Sequence, residues 1–144
     1  MELVNRLGKS SRRELHGVHP DMIIVVATSL ILLQEEGIDF TVFDGIRNLE
    51  EQQALVDAGS SWTLNSMHRI QKTGFGHAVD LVPVINGKLR FDAIDALTKM
   101  GKAAKKASAH HRIPITWGAL KKYGGDWTKR NDMYHIELSQ KTYL

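Results

Sequence analysis

Residues 66–91 read SMHRIQKTGFGHAVDLVPVINGKLRF, and the parsing of this stretch decides the fold. Ala78 to Val82 is an apolar run with a single carboxylate, Asp80, at its centre. It reads as a buried strand that Pro83 ends. Asn86-Gly87 is a strong two-residue hairpin turn, because both residues accept positive φ, and Lys88 to Phe91 returns as the partner strand. Ahead of the strand, a loop punctuated by Gly74 and Gly76 carries His68 and His77.

Working outward, Phe40 to Phe43 (FTVF) is β-branched and aromatic and predicts another strand. Asn48 with Glu51 three residues on predicts a capping box that opens a helix through Val56, stopped at Gly59. Upstream, Met22 to Leu33 (MIIVVATSLILL) predicts a buried helix capped by Asp21 and ending near Gly37. The first dozen residues, with Lys9, Arg12 and Arg13, read as polar and loosely held. Downstream, Asp92 starts an amphipathic helix with Ile94, Leu97, Met100, Ala104 and Ala107 on one face. Lys99, Lys102, Lys105 and Lys106 lie off that face and read as solvated surface. Ile113 to Trp117 and Tyr134 to Leu138 predict two more short strands. The fold class is therefore α+β, a small antiparallel sheet with helices packed on it.

The chain of 144 residues is expected to form a single domain, 1–144, large enough to fold without a disulfide or metal staple. It has no cysteine, which excludes a disulfide scaffold, a thiol nucleophile and a Cys-type zinc finger. Nineteen Lys+Arg against sixteen Asp+Glu give a formal charge of +3, which suits a polyanionic partner without identifying one. A basic recognition helix with interspersed aromatics is lacking, so no nucleic-acid partner is expected. The twelve apolar residues from Met22 are too few to cross a bilayer, which takes about 20, so no stable membrane insertion is expected. Nothing reads as a secretory signal, so the protein is expected to be made in and remain in the cytoplasm unless something releases it.

Seven histidines raise the question of chemistry. His16 and His19 flank Gly17 with no predicted strand to fix them, and His110 and His111 complement a helix C-terminus. His77 stands at the entry to the strand as a candidate substrate contact. A carboxylate at Asp80 on a buried strand is costly unless compensated, and a divalent cation is one compensator. His68 lies before it, and near the C-terminus Asp132 precedes His135 by three residues. Two imidazoles and a carboxylate would leave a fourth tetrahedral position for water, the layout of catalytic zinc, with Asp132 beside it as general base. On spacing alone, structural roles for these residues remain open.

Ser66-x-His68, then Gly76-x-Ala78-x-Asp80, then Asp132-x-x-His135, resembles the signature of zinc D,D-carboxypeptidases and phage L-alanyl-D-glutamate peptidases, which share the Hedgehog/D,D-peptidase fold. Gly45-Ile46-Arg47 with Gln52 is similar to the family's arginine segment. Trp117-Gly118, Gly125-Asp126-Trp127 and His135-Ile136-Glu137-Leu138 are similar to its closing segment. The matches run in order from about Thr41 to Leu138. One departure stands out: eleven residues separate His68 from Asp80, more than in the family's compact form, which makes His77 the substitute ligand to check.

The resemblance implies a zinc peptidase with its catalytic core over about residues 20–140. His68, Asp80 and His135 would hold Zn²⁺, Asp132 would serve as catalytic base, and Arg47 would bind a substrate carboxylate. Glu137 either orients His135 or makes an ordinary salt or packing contact. Trp117 and Trp127 wall the cleft or fill the core, and the core reading is favoured. The implied substrate is the peptidoglycan stem peptide, cut between L-Ala and D-Glu by a monomeric phage endolysin that reaches the wall through a separate lysis pore. The alternatives are a D,D-carboxypeptidase or dipeptidase on the same fold, and a noncatalytic wall-peptide-binding module.

Overall fold

The computed structural model describes residues 7–61, 63–120 and 133–144. In chain order these form α1 (Lys9–Glu14), α2 (Pro20–Glu35), β1 (Phe40–Asp44), α3 (Leu49–Asp57), β2 (Ala78–Ile85) and β3 (Lys88–Leu89). There follow α4 (Ile94–His111), β4 (Ile115–Trp117), a 3-10 turn at Gly118–Leu120, β5 (His135–Leu138) and α5 (Gln140–Tyr143). The strands order as β1-β2-β5-β4, with β3 hairpinned onto β2, and every pairing between these strands is antiparallel. This is the expected α+β architecture.

Strand alternation divides the sheet into two chemically different faces. Val79 and Leu81 of β2, with Ile136 and Leu138 of β5, point into one apolar core with Met22, Val25 and Leu33 of α2 and Leu97 and Met100 of α4. Asp80, His135 and Glu137 fall on the other face by the two-residue period. Each fully buried Leu, Ile or Met of that core contributes roughly 1.5–3 kcal/mol. The polar face is thus mounted on a well-packed base.

Several boundaries differ from the sequence expectation. Helix α2 is capped by His19, whose Nδ1 accepts the Asp21 N–H at 3.0 Å, with Pro20 in the first helical position. Asp21 instead accepts the Tyr143 hydroxyl at 2.7 Å. Pro83 does not end β2, which runs on to Ile85; Val84 N–H bonds the Asp39 carbonyl and Arg90 N–H bonds the Pro83 carbonyl, so the ladder continues around it. The return strand stops at Leu89, and α4 opens at Ile94, two residues after Asp92, with Ile94 itself exposed. Near the N-terminus, residues 9–14 are helical rather than loose. Ser11 is buried against β1, where its Oγ accepts the Val42 N–H at 3.1 Å. The capping box at Asn48 and Glu51 and the turn at Asn86-Gly87 form as read, the latter with φ of 53° and 75°.

Candidate metal centre

Three side chains converge on the polar face of the sheet. Asp80 and His135 are direct cross-strand partners on β2 and β5. His68 arrives from the glycine-punctuated loop, pinned by three backbone bonds: Arg47 N–H to the His68 carbonyl, His77 N–H to the Met67 carbonyl, and His68 N–H to Ser66 Oγ. His68 Nε2, Asp80 Oδ1 and His135 Nδ1 lie 3.2 Å from one another on all three sides. A tetrahedral shell with arms of about 2.0–2.1 Å has donor–donor edges of about 3.3–3.4 Å. The donor set and its size therefore fit a divalent metal, and this is the one such group among the described residues.

The outer nitrogen of each ring fixes what the inner one offers. His68 Nδ1 donates to the Gly45 carbonyl at 2.7 Å, and His135 Nε2 donates to Glu137 Oε1 at 2.9 Å. Neutral imidazoles held this way aim bare lone pairs at Asp80 Oδ1, an arrangement that repels itself unless a proton or a cation sits between. The titration behaviour agrees. Burial opposes charge on His135, yet hydrogen bonds to Asp80 and Glu137 overcome it and push its pKa up to about 9. Burial likewise raises Asp80, but the adjacent His68 and His135 hold it well below the usual carboxylate range.

Asp80 divides its oxygens. Oδ1 faces the two histidines, while Oδ2 lies 3.4 Å from Arg47 Nη2. Arg47 also donates through Nε to Asp44 Oδ2 at 2.6 Å and through Nη1 to Gln52 Oε1 at 3.1 Å. Gln52 is fully buried and ties α3 to the following loop by bonds to Ser61 Oγ and the Thr63 carbonyl. Asp44 and the Gly45 carbonyl were not singled out from sequence. The i, i+3 spacing of Asp44 and Arg47 was the available signal, whereas a backbone carbonyl gives none.

His77 goes elsewhere. Its Nε2 contacts Thr73 Oγ1 at 2.6 Å, its ring packs edge-on to His19 and Tyr143, and its buried Nδ1 has no hydrogen-bond partner among the described residues. The structure thus brings His68, not His77, to Asp80 and His135. Glu137, left open between two roles, is the orienting partner of His135 and is itself held by Gln140. Trp117 packs against the core, as favoured. Asp132 and the Gly125-Asp126-Trp127 segment lie outside the described residues.

Comparison with known proteins identifies the family and the fold. The family model described as phage L-alanyl-D-glutamate peptidase matches residues 3–143. The L-alanyl-D-glutamate peptidase of Escherichia phage T5 is 30% identical over 138 residues, covering 96% of this chain and 92% of that protein. The L-alanyl-D-glutamate peptidase of Listeria phage A118 is 26% identical over 110 residues, 76% of this chain and 34% of that longer protein. The crystal structure of the Serratia marcescens L-Ala D-Glu endopeptidase ChiX superposes with a TM-score of 0.74 at 31% identity, covering 95% of this chain and 92% of that one. Matched from residue 3 to residue 143, this chain belongs to the phage L-alanyl-D-glutamate peptidase family.

Proposed function

We propose that the protein is a zinc-dependent hydrolase that cuts peptidoglycan stem peptides at the L-Ala–D-Glu bond, acting as a phage endolysin on the host wall. The observation that carries this reading is the convergence of three lone-pair donors at 3.2 Å on one face of the sheet. His68, Asp80 and His135 would hold the metal, with Gly45 and Glu137 setting the two rings. Zinc bound there would supply Lewis acidity and a bound water of lowered pKa.

The chain's own groups do the rest. In this reading Asp132 takes a proton from the attacking water on its carboxylate and passes it to the departing amine, a role worth about 10²–10⁴ in rate. Arg47 is pre-aimed by Asp44 and Gln52, which engage Nε and Nη1. A guanidinium has five N–H groups, so it retains donors for a stem-peptide carboxylate. Among the described residues no helix is long and apolar enough to cross a membrane. We place the site of action at the wall, reached through a separate lysis pore, with the protein working as a monomeric, single-domain enzyme.

The test is metal content of the purified protein, with hydrolysis of purified peptidoglycan before and after chelation. About one zinc per chain is expected, with chelation abolishing and zinc restoring release of N-terminal D-Glu. Asp132→Ala should keep zinc and lose hydrolysis by about 10²–10⁴, while His135→Ala should lose both. Release of free D-Ala instead would assign a D,D-carboxypeptidase, and neither metal nor cleavage would leave a binding module.

A further inference from the structure

We propose that the outer face of α4 is a wall-retention surface, a lysine stripe that grips the carboxylates of insoluble peptidoglycan away from the metal centre. The choice of partner rests on the peptidoglycan reading above; the stripe itself does not. Helix α4 has one acidic residue, Asp95, in its first turn. From Lys99 to Arg112 there are four lysines and one arginine and no acid. All five are exposed, and among the described residues none lies in an ion pair. They are five of the nineteen Lys+Arg of the chain, gathered on a stretch that carries no acid.

Helix stability alone does not account for the pattern. Cations in a last turn complement the helix dipole, which covers His110, His111 and Arg112. Lys99 and Lys102 stand in mid-helix, and Lys99, Lys102 and Lys106 recur at spacings of three and four, where like charges share a stripe and repel. An anionic polymer relieves that repulsion. At 1.5 Å per residue the run from Lys99 to Arg112 extends about 20 Å, enough to meet several carboxylates at once.

Placement separates this surface from the chemistry. Leu97, Met100 and Ala104 bury the opposite side of α4 in the core shared with Val79 and Leu81, whereas Asp80 faces the other way from β2. A helix and a sheet therefore stand between stripe and metal group. A polymer held at the stripe leaves the metal centre open to a neighbouring stem peptide.

The experiment measures co-sedimentation of the intact protein with purified peptidoglycan sacculi, stripped of other wall polymers, during brief contact on ice. Ionic strength is raised from about 0.01 to 0.15 M, over which the screening length falls from about 30 to 8 Å. Wild type should sediment at low salt and be released as salt rises. The K99E/K102E/K106E variant should sediment at least tenfold less, yet keep its thermal midpoint and its kcat/KM on a soluble stem peptide. A control, K9E/R12E/R13E, makes the same charge change on exposed residues of α1 and should sediment like wild type. Equal loss in the control would assign retention to net charge and overturn the stripe. Undiminished binding to sacculi whose carboxylates are amidated would overturn the partner. Sedimentation without hydrolysis of the soluble peptide by wild type would defeat the peptidase reading while leaving the surface standing.

Discussion

Because a backbone carbonyl can only accept, His68 must carry its proton on Nδ1, and the Glu137 carboxylate imposes the same choice on His135 Nε2. These partners are a backbone atom and a side chain that touch no donor edge of the metal group, yet they decide which nitrogens are available. Glu137→Gln keeps the size of the side chain and removes its charge. It should weaken zinc affinity about 10- to 100-fold in competition with a chromophoric chelator; unchanged affinity would remove Glu137 from this role. His77 gives a second residue-level expectation. Burial, then the neighbouring His19, push its pKa below the ordinary value, with Glu137 opposing. The folded protein therefore prefers neutral His77. Its contribution is complete above the unfolded pKa of about 6.5 and drains as pH falls through the lower folded value. Thermal midpoints from about pH 8 to 5 should fall more steeply in wild type than in His77→Gln, and parallel slopes would contradict it. The ligand trio was legible as residue types in a family-like order. Asp44 and the Gly45 carbonyl were not, since their parts depend on where Arg47 and His68 come to rest.

Helix α4 meets strand β4 at Gly101, where the bare helix backbone takes the Trp117 ring. A Cβ on Gly101 would stand 2.7 Å from the ring carbons of Trp117, whose indole N–H is tethered to the Met133 carbonyl. Gly101→Ala sets two effects against each other. Alanine gains about 1 kcal/mol of helix propensity, and overpacking costs about 1–3 kcal/mol. With the ring anchored, packing should prevail, lowering the thermal midpoint by about 2–4 °C per kcal/mol lost. A raised midpoint would mean the ring yields freely. Element ends were legible where local chemistry alone sets them. Asn48 with Glu51, and Asn86 with Gly87, form the cap and the turn their sequences specify. The start of α2 was not, because His19 caps it with a ring nitrogen rather than one of the usual short polar side chains. Pro83 misled for a related reason. A proline blocks a strand only where the ladder needs an N–H at that position, and that depends on neighbouring strands.

Across the molecule, the metal group joins segments 67 residues apart along the chain, from His68 to His135. Such a site exists only in the folded state, so metal binding and folding are linked. Zinc at a hundredfold excess over its Kd should add about 2.7 kcal/mol of stability. At about 2–4 °C per kcal/mol this raises the melting midpoint by about 5–10 °C, and chelator should reverse it. An unmoved midpoint would mean the site does not bind zinc in the native state. The order β1-β2-β5-β4 was the least legible feature. Short strands advertise that they pair but not with whom, and β5 slots between β2 and β4 through non-local contacts alone.

Gly45 draws these scales together. A Cβ there would collide with the Glu14 carbonyl at the end of α1, so the N-terminal helix and the residue just after β1 meet backbone to backbone where a carbonyl aims His68. Nothing larger than hydrogen can be accepted at that position without shifting Glu14 or Gly45 itself, whose carbonyl holds His68. A side chain at position 45 is therefore expected to disturb His68 as well. Glu14, which meets Gly45 through main-chain atoms, should tolerate substitution far better than the glycine opposite.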